Sequence, residues 1–112
     1  MSAAESTEPG RELVAGHVFC DAPRFSLGQL VATPGAIRMM ERTGATAADL
    51  LRRHQSGDWG DLPPEDAAEN EFAIGRELRI LSSYGALNGE DRLWVITEAD
   101  RSVTTILQPE EY

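Results

Sequence analysis

The segment His54-Gln-Ser-Gly-Asp-Trp-Gly-Asp61 brings together an imidazole, two carboxylates, an indole and two glycines. The chemistry open to this set is narrow. A carboxylate that holds one imidazole nitrogen fixes its tautomer and raises its pKa, so His54 with Asp58 could form a general acid–base pair. Asp58 and Asp61 could instead grip a hard cation, but two carboxylates are too few to specify one, and no metal is expected. A structural reading outweighs both. Gly57 and Gly60 allow a tight connection, Asp58 and Asp61 bond loop amides, and Trp59 plugs a gap between helices and sheet. His54 by itself, at a helix end, suits a dipole partner or loop anchor better than a catalyst.

A second cluster lies at Thr97-Glu-Ala-Asp-Arg-Ser-Val-Thr-Thr105. Its sharper reading is an anion or phosphate site, with Arg101 as the clamp and hydroxyls such as that of Thr104 as donors. Its plainer and weightier reading is a hairpin turn with an Asp100–Arg101 surface pair and hydroxyl residues that are simply good strand formers. Arg76, Arg79, Tyr84 and Arg101 could share one sheet surface with His54 at its rim. That arrangement would suit a small phosphodiester-processing enzyme using His54, Arg101 and Tyr84.

Composition narrows the classes. The 112 residues predict one domain with a real but modest core, and the 41% hydrophobic share is that of a globular chain. A net charge of −9 argues against general nucleic-acid binding, which needs positive charge to displace counterions. All ten basic residues are arginine, which excludes a Schiff-base or phosphate-loop lysine. An acidic surface suits a basic partner, such as a nucleic-acid-binding protein whose substrate it imitates, as well as plain solubility. Cys20, within Val18-Phe19-Cys20, has no partner for a disulfide and reads as a small buried hydrophobe. Two histidines so far apart with one cysteine make no zinc site, and His17 has no patterned context. No apolar run approaches the roughly 18 residues of a membrane span. Glu5, Glu8 and Glu12 stand where a signal peptide would be basic and then apolar. A cytoplasmic protein is expected.

The elements that must position these groups follow from periodicity and caps. Residues 1–12 read as a flexible acidic tail and 13–112 as one domain. Leu13–Cys20, broken by Gly16, predicts a short edge strand. Phe25–Val31 fits a strand or an irregular segment. Thr33-Pro34 opens a first helix, with Ile37, Met39 and Met40 inward and Gly44 as its stop. Thr46 caps a second, with Ala47, Leu50 and Leu51 inward and Arg52 and Arg53 near its end. Pro63-Pro64-Glu65-Asp66 opens a third, with Ala68 and Phe72 inward, Ala67 and Ile74 beside them, and Gly75 as its stop. Leu78, Ile80, Ser82 and Tyr84 share one side of a strand, Asn88-Gly89 marks a turn, and Arg92–Thr97, apolar on both faces, predicts a central strand. Ser102–Gln108 returns as a third strand. The expected fold is α+β: two to three helices on a small antiparallel sheet built from a C-terminal three-stranded meander.

His54–Asp61, Glu69-Asn70, Ile80–Tyr84 and Trp94–Tyr112, together with the opening Phe25–Ala36, carry a resemblance to a family of small bacterial "plasmid-related" proteins. Some of these are labelled methylation subunits of type I restriction enzymes. The resemblance spans roughly residues 25–112. It implies an association with plasmids and other mobile elements, whose small acidic proteins include inhibitors of host restriction or CRISPR machinery. This chain has neither a glycine-rich cofactor loop after a strand nor the length of a methyltransferase fold, so no cofactor is expected.

The leading expectation is therefore a non-enzymatic interaction protein with a contiguous acidic patch formed by Asp58, Asp61, Glu65, Asp66, Glu69 and Glu71. The phosphodiester enzyme is the alternative. A docking domain with Trp59 and Trp94 in a pocket is a third.

Overall fold

The computed structural model describes residues 12–13, 20–85 and 91–112. Among these the order is β1 (Glu12–Leu13), β2 (Gln29–Ala32), α1 (Pro34–Thr43), α2 (Ala47–Ser56), α3 (Pro64–Ala73), β3 (Ile80–Gly85), β4 (Arg92–Thr97) and β5 (Val103–Leu107). The fold is α+β. The Asn88-Gly89 turn and most of the N-terminal tail lie outside the described residues.

The strands form one sheet in the order β1-β2-β5-β4-β3. Strands β3, β4 and β5 are the expected antiparallel meander, with β4 inside it. The sheet as a whole is mixed rather than antiparallel, because β2 runs parallel to β5, Gln29 opposite Val103 and Ala32 opposite Ile106. A parallel pair needs a long crossover, and here the entire helical layer and two strands separate the partners in sequence. The meander is thus extended by the segment that precedes the helices, with β1 antiparallel at its outer edge.

The helix starts are those their caps dictate. The Thr33 hydroxyl accepts the Ala36 N–H at 3.1 Å and that of Thr46 accepts the Asp49 N–H at 3.2 Å. Gly44 and Gly57 end α1 and α2. The buried stripe of α2 runs on from Leu50 and Leu51 to His54. Helix α3 differs from expectation. Ile74, not Gly75, caps it; Ala68 is exposed; and Phe72 is 55% exposed. Its inward residues are Asn70 and Ala73, flanked by Ala67 and Ile74. The cause is Asn70, whose amide bonds the backbone of Leu81 and so turns the Asn70–Ala73 stripe toward β3. Phe72, about 100° round the helix from Ala73, then points away.

Helices α1 and α2 cover one sheet face, where Ala32, Tyr84, Leu93, Val95 and Ile106 pack against Ala36, Met39, Leu50 and Leu51. Val31, Ile96, Thr105 and Leu107 alternate onto the other face and are also buried. There the Tyr112 ring meets Trp94 edge-on at 5.8 Å. A C-terminal 3-10 turn, Pro109–Glu111, is tied to the start of α1 by the Thr33 hydroxyl, which donates to Glu111.

Candidate functional site

His54 points from α2 into the sheet and is fully buried. Its partner is not Asp58. Nδ1 lies 2.6 Å from the Ser82 hydroxyl and Nε2 lies 2.9 Å from that of Thr97. The Thr97 and Thr104 hydroxyls are 2.7 Å apart, and Thr104 donates to the Leu27 carbonyl at 2.7 Å. This last bond fixes the direction of all the others. A carbonyl can only accept, so the Thr104 proton goes to Leu27, and Thr104 must accept from Thr97. The Thr97 proton is then engaged, so His54 must donate from Nε2 and accept from Ser82 at Nδ1. The result is a neutral imidazole in the Nε2–H form at the centre of a closed relay. Burial, and then the positive charge of Arg101, push its pKa down to about 3.

The rest of the segment closes the sheet edge at β3. The unpaired side of an edge strand presents alternate N–H and C=O groups to any passing strand. Here both groups of Leu81, both of Ser83 and the N–H of Gly85 have partners. Asn70 gives Leu81 both halves of a strand partner, accepting its N–H at 3.2 Å and donating to its carbonyl at 2.6 Å. The Ser83 N–H donates to Trp59 and its carbonyl accepts from Asp61, with Gly60 lying alongside as a parallel bridge. The Gly85 N–H donates to the Asp61 carboxylate at 3.0 Å. Gly60 has φ +75° and a Cβ there would sit 2.0 Å from the Ser83 carbonyl oxygen, so only glycine lets the strap approach this closely. Trp59 anchors the strap: its indole N–H donates to Glu71 at 3.0 Å and its ring packs with Phe25 and His54.

Asp58 pairs with Arg53 at 2.7 Å and accepts the Gly60 N–H; the Arg53 hydrogen bond holds its carboxyl below the usual range. Asp61 pairs with Arg92. Tyr84 donates its hydroxyl to the Asp58 carbonyl at 2.6 Å, and burial pushes its pKa up.

Arg101 sits at φ +61° in the β4–β5 turn, and its guanidinium faces backbone rather than open solvent. Nη1 donates to the carbonyls of Leu78 at 2.7 Å, Glu98 at 3.1 Å and Ala99 at 3.2 Å, and Nη2 to Ala73 at 3.1 Å. Ala73 is the last residue of α3, so the cation also meets the negative end of that helix dipole. Asp100 is not its partner but accepts from the Ser102 amide and hydroxyl, which hold its carboxyl low. Arg101 is therefore neither half of the expected surface pair nor placed as an open phosphate clamp, but a staple that joins the last turn to α3. His54 and Arg101 both border the Phe25 ring, at 5.1 Å and 5.8 Å, and the imidazole feels the Arg101 charge. We expect Arg101→Lys, which cannot reach these carbonyls with one ammonium, to lose about 2–3 kcal/mol in urea unfolding. A stability unchanged from the parent would mean the guanidinium is not a staple.

The six carboxylates expected as one patch divide into two sets. Asp58, Asp61 and Glu71 are paired with Arg53, Arg92 and Arg24. Glu65, Asp66 and Glu69 are exposed on α3 and make no ion pair among the described residues. Asp66 and Glu69 line a cleft with Leu62, Asn70, Arg79 and Leu81. A more apolar cavity of about 240 Å³ lies at the other end of the sheet, between the α1–α2 turn and Tyr84, Gly85 and Leu93. Trp59 and Trp94 do not share a cavity, for Trp59 belongs to the helical side and Trp94 to the opposite face. Among the described residues no three His, Cys, Asp or Glu side chains converge to hold a metal ion, and no helix is long and apolar enough to cross a membrane.

Two features of the site escaped sequence reading, the Ser82–His54–Thr97–Thr104 relay and the Asn70 edge partner. The relay did leave a trace: inward strand positions that should be apolar are hydroxyls, and a histidine continues the Leu50–Leu51 stripe. No family model, curated protein or solved structure matches the chain.

Proposed function

We propose that this chain is a non-enzymatic accessory protein of mobile elements that binds a basic, nucleic-acid-handling protein, of the restriction or CRISPR type, through α3. The observation that carries the reading is the set Glu65, Asp66 and Glu69: three exposed carboxylates on one short helix that make no ion pair among the described residues, while the carboxylates of the strap are each matched by an arginine. Phe72, exposed on the same outward side as Glu65 and Glu69, adds the apolar anchor that an interface centre needs. The net charge of −9 would steer such a surface toward a positive groove. The resemblance of residues 25–112 to plasmid-related proteins supports the mobile-element setting.

The phosphodiester reading has no comparable support. Its histidine has no solvent face and both ring nitrogens engaged, its arginine is held by four carbonyls, and the Tyr84 hydroxyl donates to backbone.

The test is a phage restriction assay in cells carrying a type I restriction or CRISPR system, with and without this chain. Protection is expected, and the triple variant Glu65→Lys, Asp66→Lys, Glu69→Lys should lose it by about tenfold or more while staying folded. Protection by the triple variant equal to that of the parent would sink the assignment to α3. Absence of protection against both kinds of system would sink the proposed class.

A further inference from the structure

We infer that the cavity between the α1–α2 turn and the β3–β4 end of the sheet binds a small carboxylate with an apolar body, held by Arg53. The site is separate from α3 and does not depend on the function proposed for it. Its walls are Met39, Leu50, Leu93 and the Tyr84 ring, with Thr43 and Arg53 among the remaining lining residues. At about 240 Å³ it is smaller than the roughly 300–1,000 Å³ of pockets for drug-sized molecules. The apolar part must therefore be compact, on the scale of one aromatic ring or a short branched chain.

Which polar group the ligand carries follows from an inventory of donors around the cavity. The Thr43 hydroxyl donates to the Met39 carbonyl at 2.8 Å and accepts from the Ala45 amide. The Tyr84 hydroxyl donates to Asp58, the Gly44 N–H to the Met40 carbonyl, and the Gly85 N–H to Asp61. Each of these is engaged within the protein. Arg53 is the exception. Its Cζ stands 4.4 Å from the Tyr84 ring centroid, which sets the guanidinium plane beside the apolar wall. Nε donates to Asp58 at 2.7 Å and Nη2 reaches it at 3.5 Å, while Nη1 has no acceptor among the described residues. A guanidinium has five N–H groups in a fixed fork, so the Nη1 pair remains for a ligand. A carboxylate takes such a pair through charge-assisted bonds, a neutral acceptor does so more weakly, and an amine is repelled. Asp58 holds the opposite edge of the fork, so the guanidinium is oriented before the ligand arrives and loses little freedom on binding.

Benzoate is the probe, with benzyl alcohol and benzylamine as its neutral and cationic counterparts. Titration of the intact chain, followed by the methyl NMR signals of Met39, Leu50 and Leu93, should give saturable shifts with benzoate, weaker ones with benzyl alcohol and none with benzylamine. Arg53→Met should weaken benzoate about tenfold or more and bring it level with benzyl alcohol. Ala45→Leu, which crowds the lining without touching Arg53, should weaken both ligands together and keeps the test open if the Arg53 variant folds poorly. Shifts that never saturate, equal affinity for benzoate and benzyl alcohol, or an Arg53→Met variant that binds benzoate like the parent would each overturn the inference.

Discussion

Acidification from pH 6.5 to 3 should remove about 4 kcal/mol of folding stability through His54 alone. The imidazole titrates near 3 in the fold and near 6.5 when unfolded. Between those values the unfolded chain holds a proton that the folded one does not, so stability is complete above pH 6.5 and falls as the pH drops. The slope approaches 1.4 kcal/mol per pH unit. The geometric reason is the relay. Protonating Nδ1 would set a second donor against a Ser82 hydroxyl already donating there, with Arg101 nearby and no carboxylate in contact. The carboxyls of Asp58 and Glu71, lowered chiefly by hydrogen bonds from Arg53 and Arg24, act in the same direction but only from the usual carboxylate range downward. Urea titrations at pH 6.5, 5.5 and 4.5 separate the two, because the carboxyl contribution is small there. His54→Gln should be less stable at pH 7, since glutamine cannot restore both relay bonds, yet nearly flat across those three values. Equal slopes in the parent and the variant would remove His54 as the source.

Asn70→Ala should cost about 2–4 kcal/mol, because it strips the Leu81 N–H and C=O of their partners at a part-buried edge. The loss should also change the oligomeric behaviour. Leu81 would then present a free donor and acceptor on an edge strand, the template on which another strand adds. Sedimentation of the variant at rising concentration should show self-association that the parent lacks. Asn70→Asp is the discriminating control. It can still accept the Leu81 N–H but turns a second carboxylate oxygen toward the Leu81 carbonyl, so it should rescue little. A cost below about 1 kcal/mol, the scale of an ordinary surface substitution, together with a monomeric variant, would show that the edge is protected by other means.

The two predictions describe one arrangement from its two sides. Residues 54–61 leave α2 with a histidine buried over the middle of the sheet and return along β3 as a strap. The feature that first suggests chemistry is thus an adaptation of the fold to two problems: polar groups inside a core, and an open sheet edge. Among the described residues no buried side-chain nitrogen or oxygen lacks a hydrogen-bond partner. The relay contributes specificity as well as stability, because only one register of β3, β4 and β5 brings Ser82, Thr97 and Thr104 opposite the imidazole.

By itself the sequence determined the local elements. Thr33 and Thr46 announce helix starts, Gly44 the first stop, and the apolar run of β4 its place inside the meander; each signal acts through a few neighbours along the chain. Tertiary structure alone decided the parallel pairing of β2 with β5, because register between strands so distant in sequence depends on the layer packed between them. It also decided the partners of the charged residues. Asp58 is four residues from His54 yet bonds Arg53, and Arg101 is next to Asp100 yet reaches Ala73 and Leu78. Direction of a side chain, not distance along the chain, selects its partner. Phe72 carries the same lesson: its place in α3 was legible, but the rotation that leaves it outside was set by the bonds of Asn70 to Leu81 of β3.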